Sequence, residues 1–268
     1  MDDQDLIRVE NLRKHFGDVK AVDGISFGVK HGEAFAFLGP NGAGKSTTIR
    51  MLITLTQPTG GTASIDGLDI VRKSAEVRRR IGYVPQLISV DGTLTALENL
   101  LLMARLYDIP KREGIDRAKE ILSFLELENQ HDALVRTFSG GMIRKLEIGQ
   151  AIVHRPKVLF LDEPTSGLDP VGRQNVWKHI LELRKTSGTT IFFSTHQMEE
   201  ADAMSERIAI MNQGKIATIG TSDEIKSAAG RPDGSLEEAF IELTGTNIEE
   251  GGSYREARRM RQVEKRLG

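Results

Sequence analysis

Residues Gly39-Pro40-Asn41-Gly42-Ala43-Gly44-Lys45-Ser46 follow the pattern G-x-x-x-x-G-K-[ST]. Each residue type in it has a task in holding phosphate. Glycine lets the backbone turn its N–H groups inward around an anion. Lys45 brings a cation to the β- and γ-phosphates of a nucleotide, and the Ser46 hydroxyl is a ligand for Mg²⁺. Asp162 closes the apolar run Val158-Leu159-Phe160-Leu161, with Glu163 directly after it. An acid at the end of a buried strand holds Mg²⁺ opposite the loop serine. The neighbouring carboxylate is placed to orient and polarise an attacking water. Taken singly, Asp162 serves equally as a turn or helix cap and Glu163 as a surface acid. Ser139-Gly140-Gly141-Met142 precedes a helical stretch over 143–153 and offers backbone N–H groups and a hydroxyl, a second anion-binding corner. On its own it reads first as an ordinary helix cap. One nucleotide does not need two such corners from one subunit.

These residues have to be carried by strands and helices. The apolar run 34–38 enters the phosphate loop as a strand, and Ser46-Thr47-Thr48 opens a helix reaching about residue 53, whose N-terminus faces anions. Residues 7–12 and 24–29 read as further strands, as do a segment near 62–65 and the run 81–84 that Pro85-Gln86 closes. From 95 to about 127 the pattern turns helical: Leu97, Leu100, Leu101 and Ala104, then Ala118, Ile121, Leu122 and Leu125, share i, i+3, i+4, i+7 spacing. This stretch reads as a helical subdomain, about 87–155, inserted into an α/β core. The continuous apolar run 158–161 suits a parallel strand buried on both faces. A helix over 171–185, a strand over 189–193, a hairpin around Asn212-Gln213-Gly214 and helices over 222–229 and 236–243 complete the pattern. Strands alternating with helices around a phosphate loop predict a mainly parallel sheet.

Composition narrows the function classes. The chain has 268 residues, 39% hydrophobic and 28% charged, with a net charge of −2. A nucleic-acid-binding domain usually carries a basic excess, so no nucleic acid is expected as a partner. With no cysteine there is no disulfide, thiolate zinc site or catalytic thiol. The N-terminus is acidic without an apolar leader. No apolar stretch approaches the roughly 18 residues of a membrane span. Residues 246–268 form a separate tail: after Glu249-Glu250-Gly251-Gly252, residues 253–268 are basic and read either as a membrane-surface or partner-docking helix or as a solvated tail.

Taken together and in order, the motifs make the chain resemble the ATP-binding subunit of an ABC transporter. Residues 39–46 resemble its Walker A motif, and 158–162 with Glu163 its Walker B motif and catalytic glutamate. Ser139-Gly140-Gly141 carries the family signature, Ser166-Gly167-Leu168-Asp169 resembles the D-loop, Gln86 the Q-loop glutamine and His196 the switch histidine. Phe16 stands where the family keeps an aromatic that stacks on adenine. The resemblance covers about residues 7–220. It implies a P-loop NTPase core with an N-terminal antiparallel β subdomain, residues 1–245 forming one nucleotide-binding domain. It also implies Mg·ATP hydrolysis by two subunits, a second copy or a homologous ATPase, meeting head-to-tail. Phe16, residues 39–47, Ser139, Gly140, Gly141 and Asp169 then bind nucleotide. Ser46, Gln86 and Asp162 attend the Mg²⁺, and Glu163, His196 and Gln86 serve catalysis.

The departures are small. Phe138 and Met142 replace a usual leucine and glutamine, and Gly149-Gln150 replaces Ala-Arg, so that a basic side chain is missing there. Ser-Gly-Gly-Met and the segment 236–245 resemble drug-efflux ATPases of the daunorubicin-resistance type. Those work with a separate ABC-2 membrane subunit, which implies a cytoplasmic protein held at the inner face of the membrane. Residues 87–90, Leu-Ile-Ser-Val, are read as part of the docking surface for that subunit, or as packed onto Leu97 and Leu100. An importer ATPase or a soluble ATPase of translation, repair or cofactor assembly is the alternative. A kinase or GTPase has no use for the signature, and the chain lacks the Asn-Lys-x-Asp that reads guanine.

Overall fold

The structure is a computed structural model that describes residues 5–245, so the basic tail lies outside the described residues. In chain order the elements are β1 (Asp5–Phe16), β2 (Val19–Lys30), β3 (Ala34–Leu38), α1 (Lys45–Leu52), β4 (Gly60–Ile65), β5 (Leu68–Asp69), α2 (Ser74–Arg78) and β6 (Ile81–Val84). Then follow α3 (Ala96–Leu106), α4 (Lys111–Phe124), α5 (Gly140–Ile152), β7 (Val158–Asp162), α6 (Pro170–Ser187) and β8 (Thr190–Thr195). The chain continues through α7 (Met198–Met204), β9 (Arg207–Asn212), β10 (Lys215–Gly220), α8 (Ser222–Ala228) and α9 (Leu236–Thr244). It forms two compact units: residues 5–77 with 192–245, and Arg78–Ile191. The fold is an α/β P-loop NTPase core with an antiparallel N-terminal sheet and an inserted helical subdomain.

In the first unit an antiparallel sheet runs β2-β1-β4-β5, with Ile7 opposite Val29 on one side and Ile65 on the other. A second run of strands has the order β10-β9-β3-β8, where β9 is parallel to β3 and antiparallel to β10. All five residues of β3 are buried, as a strand covered on both faces requires. Phe35 and Phe37 pack there with Phe27 and Phe192 in a four-ring cluster whose centroids lie 4.9–6.1 Å apart. The β9–β10 turn is the expected hairpin. Gln213 and Gly214 both have positive φ, 48° and 76°, which matches the right-handed twist of the strands it joins.

In the second unit β6 and β7 pair in parallel, Ile81 opposite Val158. The helical stretch read from the sequence is two helices, α3 and α4, broken after Leu106 by Asp108 at positive φ and by Pro110. Thr95 and Glu98 form a reciprocal capping box at the start of α3. Leu100, Ala118, Leu122, Leu125 and Phe138 share one core with Leu146 of α5. Phe138, in place of the usual leucine, therefore fills core volume. Gly149 has an equally local reason: a Cβ there would lie 2.8 Å from Ile121 and 2.9 Å from Leu125. Gln150 is buried, and its amide donates to Asn99 Oδ1 at 3.2 Å, while Asn99 in turn fixes residue 91. A neutral amide suits this network of amide and backbone groups. Among the described residues no helix is long and apolar enough to cross a membrane.

Candidate active site

The first unit carries the phosphate loop. Gly44, the residue before α1, has φ 104°, which L side chains rarely adopt, and it makes no side-chain cap to the helix. Its carbonyl accepts the Thr48 N–H at 2.9 Å, the first turn of α1, so this helix begins directly at the loop. A Cβ on Gly39 would collide with the Met211 carbonyl, so the loop can lie this close to β9 only with glycine. The hairpin turn supports it from behind, Gly214 N–H donating to Ala43 O at 3.0 Å. Lys45 is buried, and its Nζ donates to Gly39 O at 2.6 Å and to Pro40 O at 3.2 Å. The cation thus sits curled inside its own loop, beside the anion cradle. Ser46 and Thr47 open α1 half-buried, while Asn41 and Gly42 are exposed.

The same unit brings His196 to this loop. His196 immediately follows β8, and the Thr195 carbonyl before it accepts the Gly39 N–H at 3.3 Å. Phe16, the last residue of β1, is half-buried and outside the core, with Lys14 Nζ 4.9 Å from its ring centroid.

The second unit holds the remaining residues. Asp162 and Glu163 leave the C-terminal end of β7, and Gln86 lies two residues beyond β6. Carboxyl ends of parallel strands are where α/β sheets place their ligands. Both acids are only 5% exposed. Glu163 has φ 52°, a left-handed conformation that a non-glycine residue holds only where its surroundings enforce it. Gln86 is exposed, on a segment that also exposes Leu87 and Ile88, 80% and 65%. Val90 instead packs against the helical core. The four apolar-segment residues thus divide: two face outward and one faces inward, while Ser89 is held by hydrogen bonds.

Ser139 caps α5, its Oγ accepting Met142 N–H at 3.4 Å, and Asp169 caps α6, its Oδ1 accepting Gly172 N–H at 3.2 Å. The two helix starts face one open cavity of about 520 Å³, lined by Ser139, Gly140, Gly141, Leu168 and Asp169 among others. Sequence reading missed the lining residues Gly172 and Asn175 and, the one charged group of the three, Lys145. It lies one turn beyond Gly141 on the same face of α5, a spacing that would have found it. Its Nζ donates to Leu125 O at 2.6 Å, and burial lowers its pKa.

In the first unit the phosphate loop, with the Lys45 cation inside it, has the chemistry to hold a nucleotide phosphate, and the Ser46 hydroxyl is a hard oxygen ligand of the kind Mg²⁺ takes. In the second unit Asp162 is, taken by itself, another such ligand. Comparison with known proteins gives the family. The family model described as ABC transporter matches residues 22–166. The daunorubicin/doxorubicin resistance ATP-binding protein of Streptomyces peucetius is 44% identical over 84% of this chain and 68% of its own length. A solved ATP-binding subunit of an ABC transporter superposes with a TM-score of 0.80 at 31% identity, covering 89% of this chain and 99% of that one. A dimeric ATP-binding cassette solved in a post-hydrolysis state with ADP and Pi gives 0.72 at 28% identity, over 80% and 98% of the two chains.

Proposed function

The chain belongs to the ABC transporter ATP-binding family, whose members hydrolyse ATP to power transport, and on that premise we propose that it drives export through a separate ABC-2 type permease as a head-to-tail pair of ATPase subunits. The observation that carries this reading is the open corner at Ser139-Gly140-Gly141. It offers the N–H groups of a helix start to an anion, while the loop at 39–46 already has its own cation. In a head-to-tail pair each corner covers the nucleotide held on the other subunit's loop. The drug-resistance relative favours export of a drug-like compound over import. The exposed Leu87 and Ile88 favour a permease helix as the partner of this segment.

Each residue then has one task. Lys45 and the loop N–H groups hold the β- and γ-phosphates, and Phe16 stacks on the base. Ser46 and Asp162, attended by Gln86, would hold a Mg²⁺, which would neutralise charge on the phosphates. Glu163 orients a water and takes its proton as the water oxygen bonds to the γ-phosphorus. The bond to the β-γ bridging oxygen breaks, leaving ADP and phosphate. His196 hydrogen-bonds the γ-phosphate, and Gln86 senses the Mg²⁺ and the attacking water.

Glu163→Gln keeps the shape of the side chain and loses the base. We expect turnover to fall roughly 10²- to 10³-fold with ATP affinity retained, and the pair to persist in size-exclusion chromatography with saturating Mg·ATP. A variant that elutes as a monomer under those conditions argues against the pair. Ile88→Glu tests the partner: it is expected to lose co-purification with the permease and the ATPase stimulation that the permease gives. Normal capture by the permease would move the docking surface elsewhere.

A further inference from the structure

Gln86 lies in an irregular segment, residues 85–90, and both Gln86 and Ser89 are solvent-exposed. A loop of this kind is ordinarily mobile. Here its backbone is gripped on both sides of Gln86 by two side chains of α5. Arg144 donates from Nη1 to Pro85 O at 2.7 Å and from Nη2 to Gln86 O at 3.2 Å. Glu147 Oε1 accepts the Ser89 N–H at 2.6 Å and the Ser89 hydroxyl at 3.0 Å. Arg144 and Glu147 stand one turn apart and approach to 2.9 Å, with side chains 6% and 1% exposed. Burial raises the Glu147 pKa and the guanidinium beside it opposes this.

A buried ion pair seldom adds stability over an apolar pair of the same volume. What this pair provides is direction. The guanidinium is planar and serves two successive carbonyls at once, which an ammonium on a flexible stem does not reproduce. We propose that Arg144 and Glu147 are positioning residues that clamp the peptide carrying Gln86 to the signature helix. The inference rests on the reading of Gln86 as the nucleotide sensor. Since α5 begins at the Ser139 cap, five residues before Arg144, a displacement of the signature end of the helix reaches Gln86 through hydrogen bonds alone. The clamp makes the two motifs one moving part.

The test uses the full chain carrying Arg144→Met with Glu147→Leu. These replacements fill the same volume, and water can satisfy the exposed loop groups they release. We expect Tm within a few degrees of the parent and KM for Mg·ATP within about twofold, with kcat lowered at least tenfold. Amide exchange across residues 86–90 is expected to quicken at least tenfold. Adding Gln86→Ala to the double variant is expected to cost nothing further, because both changes remove one function. A merely structural pair gives parental kcat in the double variant, or losses that multiply with Gln86→Ala; either overturns the clamp. If Gln86→Ala alone hydrolyses ATP normally, the sensor reading fails, and unchanged amide exchange in the double variant would sink the clamp independently. Should the double variant not fold, Arg144→Lys keeps the charge, cannot serve both carbonyls, and enters the same cycle.

Discussion

The two glycine-rich helix starts of this molecule are built in opposite ways. At residues 39–46 the glycines are conformational. Gly42 and Gly44 have φ 84° and 104°, the hairpin at Gly214 closes the loop from behind, and Lys45 is folded inside. At residues 139–141 the glycines are steric. Gly140 and Gly141 keep ordinary helical backbone, a Cβ on Gly141 would meet only Gly172 Cα at 3.9 Å, and the space in front is open. The first corner is preorganised and self-sufficient. The second leaves room for another body to approach the helix end, and the only cation among its lining residues, Lys145, is tied back to Leu125 O. Glycine is thus used once to shape a backbone and once to keep a surface bare.

The largest effect expected from this contrast comes from a pair of alanine substitutions. Lys45→Ala removes a buried cation from phosphate, and charge-assisted hydrogen bonds of this kind are worth about 1.5–3 kcal/mol, so ATP affinity should fall up to about 100-fold. Ser139→Ala removes a hydroxyl from the open corner. It should leave ATP affinity of the single subunit within about twofold, yet abolish the ATP-dependent pair formed by Glu163→Gln. Equilibrium binding of a fluorescent ATP analogue and size-exclusion chromatography read the two effects. If Ser139→Ala weakens binding by the lone subunit as Lys45→Ala does, the corners do not differ in the way described.

Much of this contrast was legible in the chain and some was not. The loop motif, its flanking strand at 34–38 and the acids after 158–161 could be read because local spacing alone defines them. Strands β1 and β2 run several residues past their apolar runs, since Lys14 and His15 are held by pairing with Val22 and Lys20, not by burial. The short helices α2 and α7 have no apolar period and went unseen. Arg144 and Glu147 look like an ordinary solvated pair on a helix. Only the packing of a segment 58 residues away buries them. Lys145 could be found from its spacing to Gly141; what the local sequence hides is its acceptor Leu125 and its neighbour Glu126, which belong to another stretch of chain.

Acid offers a second, smaller way to separate the two regions. His154 lies just beyond α5, stacked on Tyr107 at 3.7 Å between ring centroids, and its Nε2–H donates to Ile81 O at 2.9 Å. Its Nδ1 is buried without a partner, and burial lowers the pKa to about 4. The native state therefore holds the ring neutral where the unfolded chain, near 6.5, takes up a proton. Stability is unaffected above about pH 7, falls as the pH drops below about 6.5 and levels off near 4. Between pH 7 and pH 5 this one group should cost about 2 kcal/mol. His154→Phe keeps the stack and should remove that slope. Urea unfolding at the two pH values decides it, and an equal loss in both proteins would assign the acid sensitivity to other groups. Because the histidine follows the signature helix, acid is expected to raise amide exchange in α5 before it does so in α1.

The smallest effect concerns the base. Among the described residues no aromatic ring lines the open corner, whereas Phe16 stands half-buried in the unit that carries the phosphate loop. Stacking reads a π-face and not a pattern of donors and acceptors, so adenine and guanine should be held about equally. Phe16→Ala should weaken ATP and GTP alike, by about fivefold, or about 1 kcal/mol. The competing role for the ring is visible next to it: Lys14 Nζ lies over its face while donating to Gln57 O at 2.9 Å, so Phe16 also shields a contact that ties β1 to the turn before β4. Phe16→Leu separates the two roles, because leucine covers the lysine stem but presents no π-face. Phe16→Leu binding both nucleotides as tightly as the parent would leave Phe16 as a cover for Lys14. Equal loss for both nucleotides in the leucine and alanine variants, with Ser139→Ala showing none, would place base recognition wholly on the self-sufficient side of the contrast.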